Sequence, residues 1–184
     1  MRVFRFFALM ATLFGVTSTA AVASPRDLEN TLYMQLKDGR VVIELRPDLA
    51  PGHVARIKEL TRKGFYDGLN FHRVIDGFMA QTGDPRGDGT GGSDLPDLKA
   101  EFSTAKHVRG TVSMARAGDP HSANSQFFIC FKPAPFLDGQ YTIWGQVVEG
   151  MEFVDAIKRG DEANNGAVDN PDKIISLKVA ADVK

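Results

Sequence analysis

The sequence has one cysteine, Cys130, one tryptophan and no surplus of basic residues over its 184 positions. A single cysteine forms no intramolecular disulfide and builds no four-cysteine zinc site. The 22 basic and 23 acidic residues give a formal net charge of −1, which argues against a general nucleic-acid binder, since such a protein carries a basic excess. The length suits one globular domain, and the 43% apolar and 24% charged fractions argue against a disordered or fibrous chain.

The first 23 residues contain no acidic side chain, and their two charges, Arg2 and Arg5, precede an apolar run that ends in Ala21-Val22-Ala23. This order predicts a secretory signal peptide over residues 1–23 and a mature domain over residues 24–184. The alternative is an uncleaved membrane anchor, but the run is marginal in length for spanning a bilayer. Cleavage leaves 20 basic and 23 acidic residues. The mature product is expected in the periplasm, without membrane attachment.

Short strands separated by turn residues dominate the mature sequence. Asp38-Gly39 between two β-branched runs predicts a hairpin over 31–45. Pro51 opens a helix that Gly64 stops, and a second helix is predicted over 151–158. Many short strands with two helices are typical of a sandwich or a closed barrel, and periodicity does not choose between them. Further strands are predicted at 71–75, 78–82, 110–115, 126–131, 143–148 and 173–180, with a loop at 83–99.

Familiar catalytic and ligand-binding motifs are missing. The pattern Gly87-x-Gly89-x-x-Gly92 does not open a helix after a strand, as a dinucleotide fingerprint must. The four histidines lack metal-helix spacing, and neither Ser113 nor Ser125 lies in a Gly-x-Ser-x-Gly elbow. The sequence therefore predicts no cofactor, no metal and no activated nucleophile.

A different group of side chains remains. Arg73, Met79 and Gln81 lie at odd positions around a turn at Gly77, and a dense aromatic strand follows at 126–131. Taken singly, such apolar residues are usually core, and a strand arginine is usually solvated or ion-paired. In a barrel, however, alternate side chains lie outside, so these residues would form an outer patch with an apolar floor and polar donors.

Five segments, in this order, resemble the cyclophilin-type peptidyl-prolyl isomerases: residues 71–84, 87–92, 110–115, 125–129 and 136–139. The resemblance covers roughly residues 30–180. It implies a mostly β fold, a closed eight-stranded antiparallel β-barrel capped by two α-helices, with the site on the outer face. It also implies isomerisation of X-Pro bonds, proline-containing peptides and unfolded proteins as partners, a monomer, and no nucleic acid, cofactor or metal.

The resemblance also assigns the site residues. Arg73 and Gln81 match the polar catalytic residues. Substrate-binding positions are matched by Phe78, Met79, Ala115, Arg116, Phe128, Phe136, Leu137 and Tyr141. Many family members have Asn, Trp and His at the positions of Arg116, Phe136 and Tyr141, so these three departures bear on substrate preference.

The competing interpretation is a proline-peptide binding chaperone of the same fold without turnover. The presence of Arg73 together with Gln81 favours the enzyme. Separately, Cys130 lies in an apolar strand and is expected to be a buried, unreactive thiol, because desolvation disfavours the thiolate.

Overall fold

The computed structural model describes residues 26–184, so the predicted signal peptide lies outside the described residues. Within this range the chain forms eight strands and two α-helices. They are β1 (Thr31–Gln35), β2 (Arg40–Leu45), α1 (Pro51–Arg62), β3 (Arg73–Ile75), β4 (Met79–Thr82), β5 (Thr111–Met114), β6 (Phe127–Cys130), β7 (Ile143–Glu149), α2 (Met151–Asp155) and β8 (Ser176–Val179).

All eight strands belong to one antiparallel sheet, in the order β3-β4-β6-β5-β7-β2-β1-β8. The hairpin predicted from Asp38-Gly39 is present, and the Leu36 N–H donates to the Gly39 carbonyl at 2.9 Å to close it. The segment 83–99 contains no strand or helix. The mostly β, antiparallel architecture with two helices is therefore confirmed.

The sheet departs from a closed barrel at one place, because edge strands β3 and β8 do not pair. The reason is that another segment occupies the free edge of β3. The Val74 N–H donates to the Gly166 carbonyl at 2.8 Å, and the Val74 carbonyl accepts from the Gly160 N–H at 2.9 Å. Further backbone bonds link loops beside this gap, including one at 2.9 Å from the Phe71 N–H to the Asp172 carbonyl.

The inside of the curled sheet is filled with apolar side chains. Phe127 and Trp144 are fully buried there, with ring centroids 5.3 Å apart in an edge-to-face arrangement. Helix α1 covers the sheet with the face predicted from its three-residue spacing, Val54, Ile57 and Leu60. No helix within residues 26–184 is long and apolar enough to cross a bilayer.

Helix α2 ends at Asp155, three residues earlier than the pattern predicts. The Ile157 N–H bonds to the Val154 carbonyl rather than four residues back, and the Lys158 N–H donates to the Asp172 side chain at 2.8 Å. The last turn of the predicted helix is therefore replaced by tertiary contacts.

Candidate active site

Strands β4 and β6 each have two buried faces. Their pairing sets Gln81 opposite Phe128 and Met79 opposite Cys130, so these side chains share the outer face. Cys130 is fully buried, and burial raises its pKa to about 12, which confirms the expected burial of the thiol. The outer face therefore carries its own apolar cluster, separate from the core inside the sheet.

One cavity of about 400 Å³ opens on this outer face. It brings together all ten site residues that the sequence predicts, with one addition, Gln140. The lining consists of Arg73, Phe78, Met79, Gln81, Ala115, Arg116, Phe128, Phe136, Leu137, Gln140 and Tyr141. The volume lies within the range of small-molecule sites.

The cavity has a buried floor and an exposed rim. Met79, Phe128 and Leu137 are buried, whereas the Phe136 side chain is 62% exposed. The rings of Phe78 and Phe136 meet at 5.2 Å between centroids. Exposed phenylalanine next to an apolar floor is a surface that favours an apolar ring from a ligand.

Arg73 borders this floor, and fixed contacts hold its guanidinium. Its Nε donates to the Asn165 carbonyl and its Nη2 to Asn165 Oδ1, both at 3.0 Å, while Nη1 donates to Gln81 Oε1 at 3.1 Å. These contacts use three of the five N–H groups that an arginine carries. Burial lowers the pKa of Arg73, yet an arginine stays protonated at neutral pH. Two N–H groups therefore remain for a ligand.

A chain of amides orients Arg73 from the glycine-rich loop. Gln126 Nε2 donates to the carbonyls of Gly89 and Gly91, at 3.0 and 2.8 Å. This leaves Gln126 Oε1 to accept from Gln81 Nε2 at 2.9 Å, which in turn points Gln81 Oε1 at Arg73. Because the loop carbonyls only accept, the whole chain has a single orientation.

A second cavity of about 370 Å³ adjoins the first. The two share three lining residues, Gln81, Ala115 and Arg116. The remaining wall comes mainly from the glycine loop, including Gly89, Thr90 and Gly91. A peptide lying across Ala115 therefore reaches both cavities.

A buried polar chain supports the floor from behind. Asp138 Oδ1 accepts from the backbone N–H of His107 at 2.8 Å and lies 3.1 Å from its Nδ1. His107 Nε2 lies 3.0 Å from Ser113 Oγ, and its ring stacks on Phe128 with centroids 6.3 Å apart. Burial lowers the pKa of His107, so the neutral ring is favoured. The chain fixes Phe128 and, through Asp138, the segment that carries Leu137.

Sequence reasoning did not identify four supporting residues: Gln126, His107, Gln140 and Asn165. The alternation of side chains along a strand could have identified Gln126, because it lies two residues before Phe128 and on the same face. Asn165 precedes Gly166 in a turn and has a φ of 52°, but its contact with Arg73 spans 92 residues and leaves no local trace. Within residues 26–184 no group of three or more His, Cys, Asp or Glu side chains is arranged to hold a metal.

The comparisons with known proteins agree on one family. The family described as cyclophilin type peptidyl-prolyl cis-trans isomerase/CLD matches residues 31–179. The probable peptidyl-prolyl cis-trans isomerase of Brucella suis is 58% identical over 188 residues, which cover 96% of this chain and 94% of that protein. Peptidyl-prolyl cis-trans isomerase B of Bacillus subtilis is 45% identical, over 71% of this chain and 92% of its own.

Solved structures show the same likeness. A Cryptosporidium parvum cyclophilin-type isomerase, crystallised in the presence of the dipeptide Ala-Pro, has a TM-score of 0.75 at 28% identity and covers 81% of this chain and 98% of its own. A cyclophilin from Hirschia baltica has a TM-score of 0.76 at 29% identity, over 86% and 76%. The chain therefore belongs to the cyclophilin-type peptidyl-prolyl cis-trans isomerases, and it is an isomerase of X-Pro bonds.

Proposed function

We propose that this enzyme accelerates X-Pro rotation in proteins that fold in the periplasm, and that the cavity between Arg73 and Tyr141 is its active site. The observation that carries the proposal is the pairing of an apolar floor with a fixed guanidinium that keeps two N–H groups unused. Its substrates are proline-containing segments of unfolded chains.

The reaction explains why the site needs no nucleophile. Rotation about an X-Pro bond breaks amide resonance against a barrier of about 18–20 kcal/mol, but no covalent bond forms or breaks. The uncatalysed step takes tens to hundreds of seconds. To shorten this step to milliseconds, an enzyme must raise the rate by about four powers of ten. That increase corresponds to roughly 5–6 kcal/mol of preferential binding to the twisted amide.

Two parts of the cavity, an apolar floor and a guanidinium, together favour the twisted amide. The floor of Phe78, Met79, Phe128 and Leu137 holds the prolyl ring, so the residue before proline turns. At the twist the prolyl nitrogen becomes pyramidal and gains a basic lone pair. Arg73 donates to this lone pair, in a site partly shielded from water where such a bond is strengthened.

Gln81 completes the polar side. Its Oε1 accepts from Arg73 at 3.1 Å, and its Nε2 is held by Gln126 at 2.9 Å. Gln81 therefore sets the angle of the guanidinium before substrate arrives. A site prepared in advance needs no reorganisation during rotation, which is the general basis of electrostatic catalysis.

Arg73→Ala tests the role of the guanidinium. We expect normal folding and a fall of about 100-fold or more in kcat/KM, measured by exchange NMR on a proline peptide, because one preorganised donor group is worth about that much. The matched control is Arg40→Ala, which removes an arginine that packs on the Tyr33 ring, 4.7 Å from its centroid, away from the cavity.

The outcomes separate the two functions. Near wild-type turnover in folded Arg73→Ala would exclude Arg73 as the catalytic group. If the unaltered protein binds proline peptides without accelerating their exchange, it is the non-catalytic chaperone instead. A titration of the same peptide, followed by its chemical shifts, measures binding independently of turnover.

We further propose that the mature chain is a monomer beginning at Ser24 in the periplasm, without membrane attachment. The support for cleavage and export is the order of charge, apolar run and Ala21-Val22-Ala23 in residues 1–23. The monomer is what the resemblance to the cyclophilin family implies. Mass spectrometry of the protein from a periplasmic extract is expected to show a chain of residues 24–184. A mass that includes residues 1–23 would contradict cleavage.

A further inference from the structure

Arg116 occupies the wall that the two cavities share. It lines the first cavity with Tyr141 and Phe128, and the second with Thr90 and Asn124. A peptide whose proline lies on the apolar floor therefore passes the Arg116 guanidinium with its neighbouring residue.

The guanidinium of Arg116 is fixed in place. Its Cζ lies 4.4 Å from the centroid of the Tyr141 ring, in a cation–π arrangement. Nη1 donates to the Ala117 carbonyl at 3.0 Å, and Nη2 donates to the Gln140 carbonyl at 3.1 Å. These contacts are neutral, so they hold the charge without cancelling it. The second N–H of Nη2 takes part in neither of these hydrogen bonds.

The two arginines at the cavity are not neutralised by ion pairs within the described residues. Ion pairs in residues 26–184 neutralise several arginines elsewhere, such as Arg109 on Asp155 and Arg159 on Asp76, but none involves Arg73 or Arg116.

The charged residues that line the two cavities show the same excess of positive charge. The charged residues in the described lining of the first cavity are the two arginines alone. The second cavity adds one carboxylate, Asp97, whose Oδ1 already accepts from Asn124 Nδ2 at 2.9 Å. The site therefore presents a net positive charge beside its apolar floor.

We propose that Arg116 makes this isomerase prefer X-Pro segments that carry a glutamate or aspartate side chain immediately next to the proline. The inference rests on the proposed function, because it assumes that the cavity binds the proline. Two guanidinium groups that form no ion pair attract an anionic side chain more strongly than they attract an amide of equal size. For a half-exposed pair the expected preference is about threefold to fivefold.

The experiment compares peptides that differ only in charge. One pair carries Glu or Gln directly before proline, and a second pair carries Glu or Gln directly after it. Exchange NMR gives kcat/KM for each peptide without a coupling protease. We expect the Glu peptide to exceed its Gln partner in at least one pair, and the excess to shrink at about 1 M salt, where the screening length is about 3 Å.

Three variants locate the preference. Arg116→Gln is expected to bring the Glu-to-Gln ratio to about one, and Arg116→Lys to retain part of it, because lysine keeps the charge but loses the fixed fork. Arg40→Gln makes the same change in net charge at an arginine that also packs on a tyrosine, and it is expected to keep the full ratio. Each ratio is internal to one variant, so a general loss of activity does not alter it.

The results that overturn the inference differ from those that overturn the proposed function. Normal turnover of the Gln peptides with a ratio of about one in both pairs overturns the charge preference and leaves the isomerase intact. A ratio that survives Arg116→Gln assigns the preference to Arg73 and overturns the role of Arg116. Absence of turnover on all four peptides overturns the proposed function itself.

Discussion

The two faces of strands β4 and β6 are both apolar and both buried, yet they do different work. Inside the sheet, Phe127 packs on Tyr66 and Trp144, with ring centroids 5.5 and 5.3 Å away. Outside, the next residue, Phe128, is 5% exposed and forms part of the cavity floor. Burial alone does not tell a core residue from a site residue. The difference lies in the neighbours: on the outer face Gln81 and Phe128 border an open cavity, whereas the polar Thr82 on the inner face is fully buried and donates to the Asn70 carbonyl.

Replacing these two adjacent phenylalanines is the strongest test of that comparison. Phe127→Ala leaves a cavity in the closed core, so we expect the free energy of unfolding to fall by about 3–5 kcal/mol, measured by chemical denaturation. Turnover per folded molecule is expected to change little. Phe127→Ala is thus a stability variant.

Phe128→Ala is the matched change on the outer face. The space it leaves is continuous with an open cavity that water enters, so we expect a smaller loss of about 1.5–3 kcal/mol. Its main expected effect is a raised KM for proline peptides, because the cavity floor loses an aromatic side chain. Equal losses of stability in both variants, with unchanged KM, would show that the two faces do not differ as described.

A smaller effect concerns pH. Burial lowers the pKa of His53, His72 and His107, of which His107 supports the outer face. Their lowered pKa means that the unfolded chain binds more protons than the folded one below the ordinary value of about 6.5. The stability that the neutral rings contribute is therefore present above that pH and lost as pH falls through their folded pKa values.

Unfolding curves recorded at about pH 7.5 and about pH 5 measure this loss. At still lower pH a second loss is expected, because the backbone N–H of His107 lowers the pKa of Asp138. In His107→Asn one of the three titrating rings is removed, so the decline between the two pH values should become shallower. Stability that rises on acidification would contradict the burial of neutral rings.

Much of the fold could be predicted because its signals are local. The Asp38-Gly39 turn and the Pro51 start each depend on a few adjacent residues, and both occur where they are predicted. Residue-level site assignments came from motif resemblance, and the structure collects all of them around one cavity. Their individual roles remain predictions.

The rest depended on contacts between distant segments. Asn165 holds Arg73 across 92 residues, and Gln126 reaches the loop carbonyls of Gly89 and Gly91. The gap between β3 and β8 likewise arises from a loop that occupies one edge, which no periodicity encodes. The composition of the glycine loop predicts that it is irregular. It does not predict that the loop carbonyls orient Gln126 and, through it, Gln81.

The protected edges of the sheet matter for an enzyme whose proposed substrates are unfolded chains. The loop around Gly166 covers β3, and on β8 the Leu177 N–H donates to Asp67 Oδ1 at 2.8 Å. An uncovered strand would be a template on which an unfolded polypeptide adds itself by main-chain pairing. With β3 covered and the Leu177 N–H of β8 already bonded, such a chain finds fewer free main-chain groups on which to dock as a ninth strand. Under the proposed function, such a chain binds through side chains at the cavity and leaves again after each turnover.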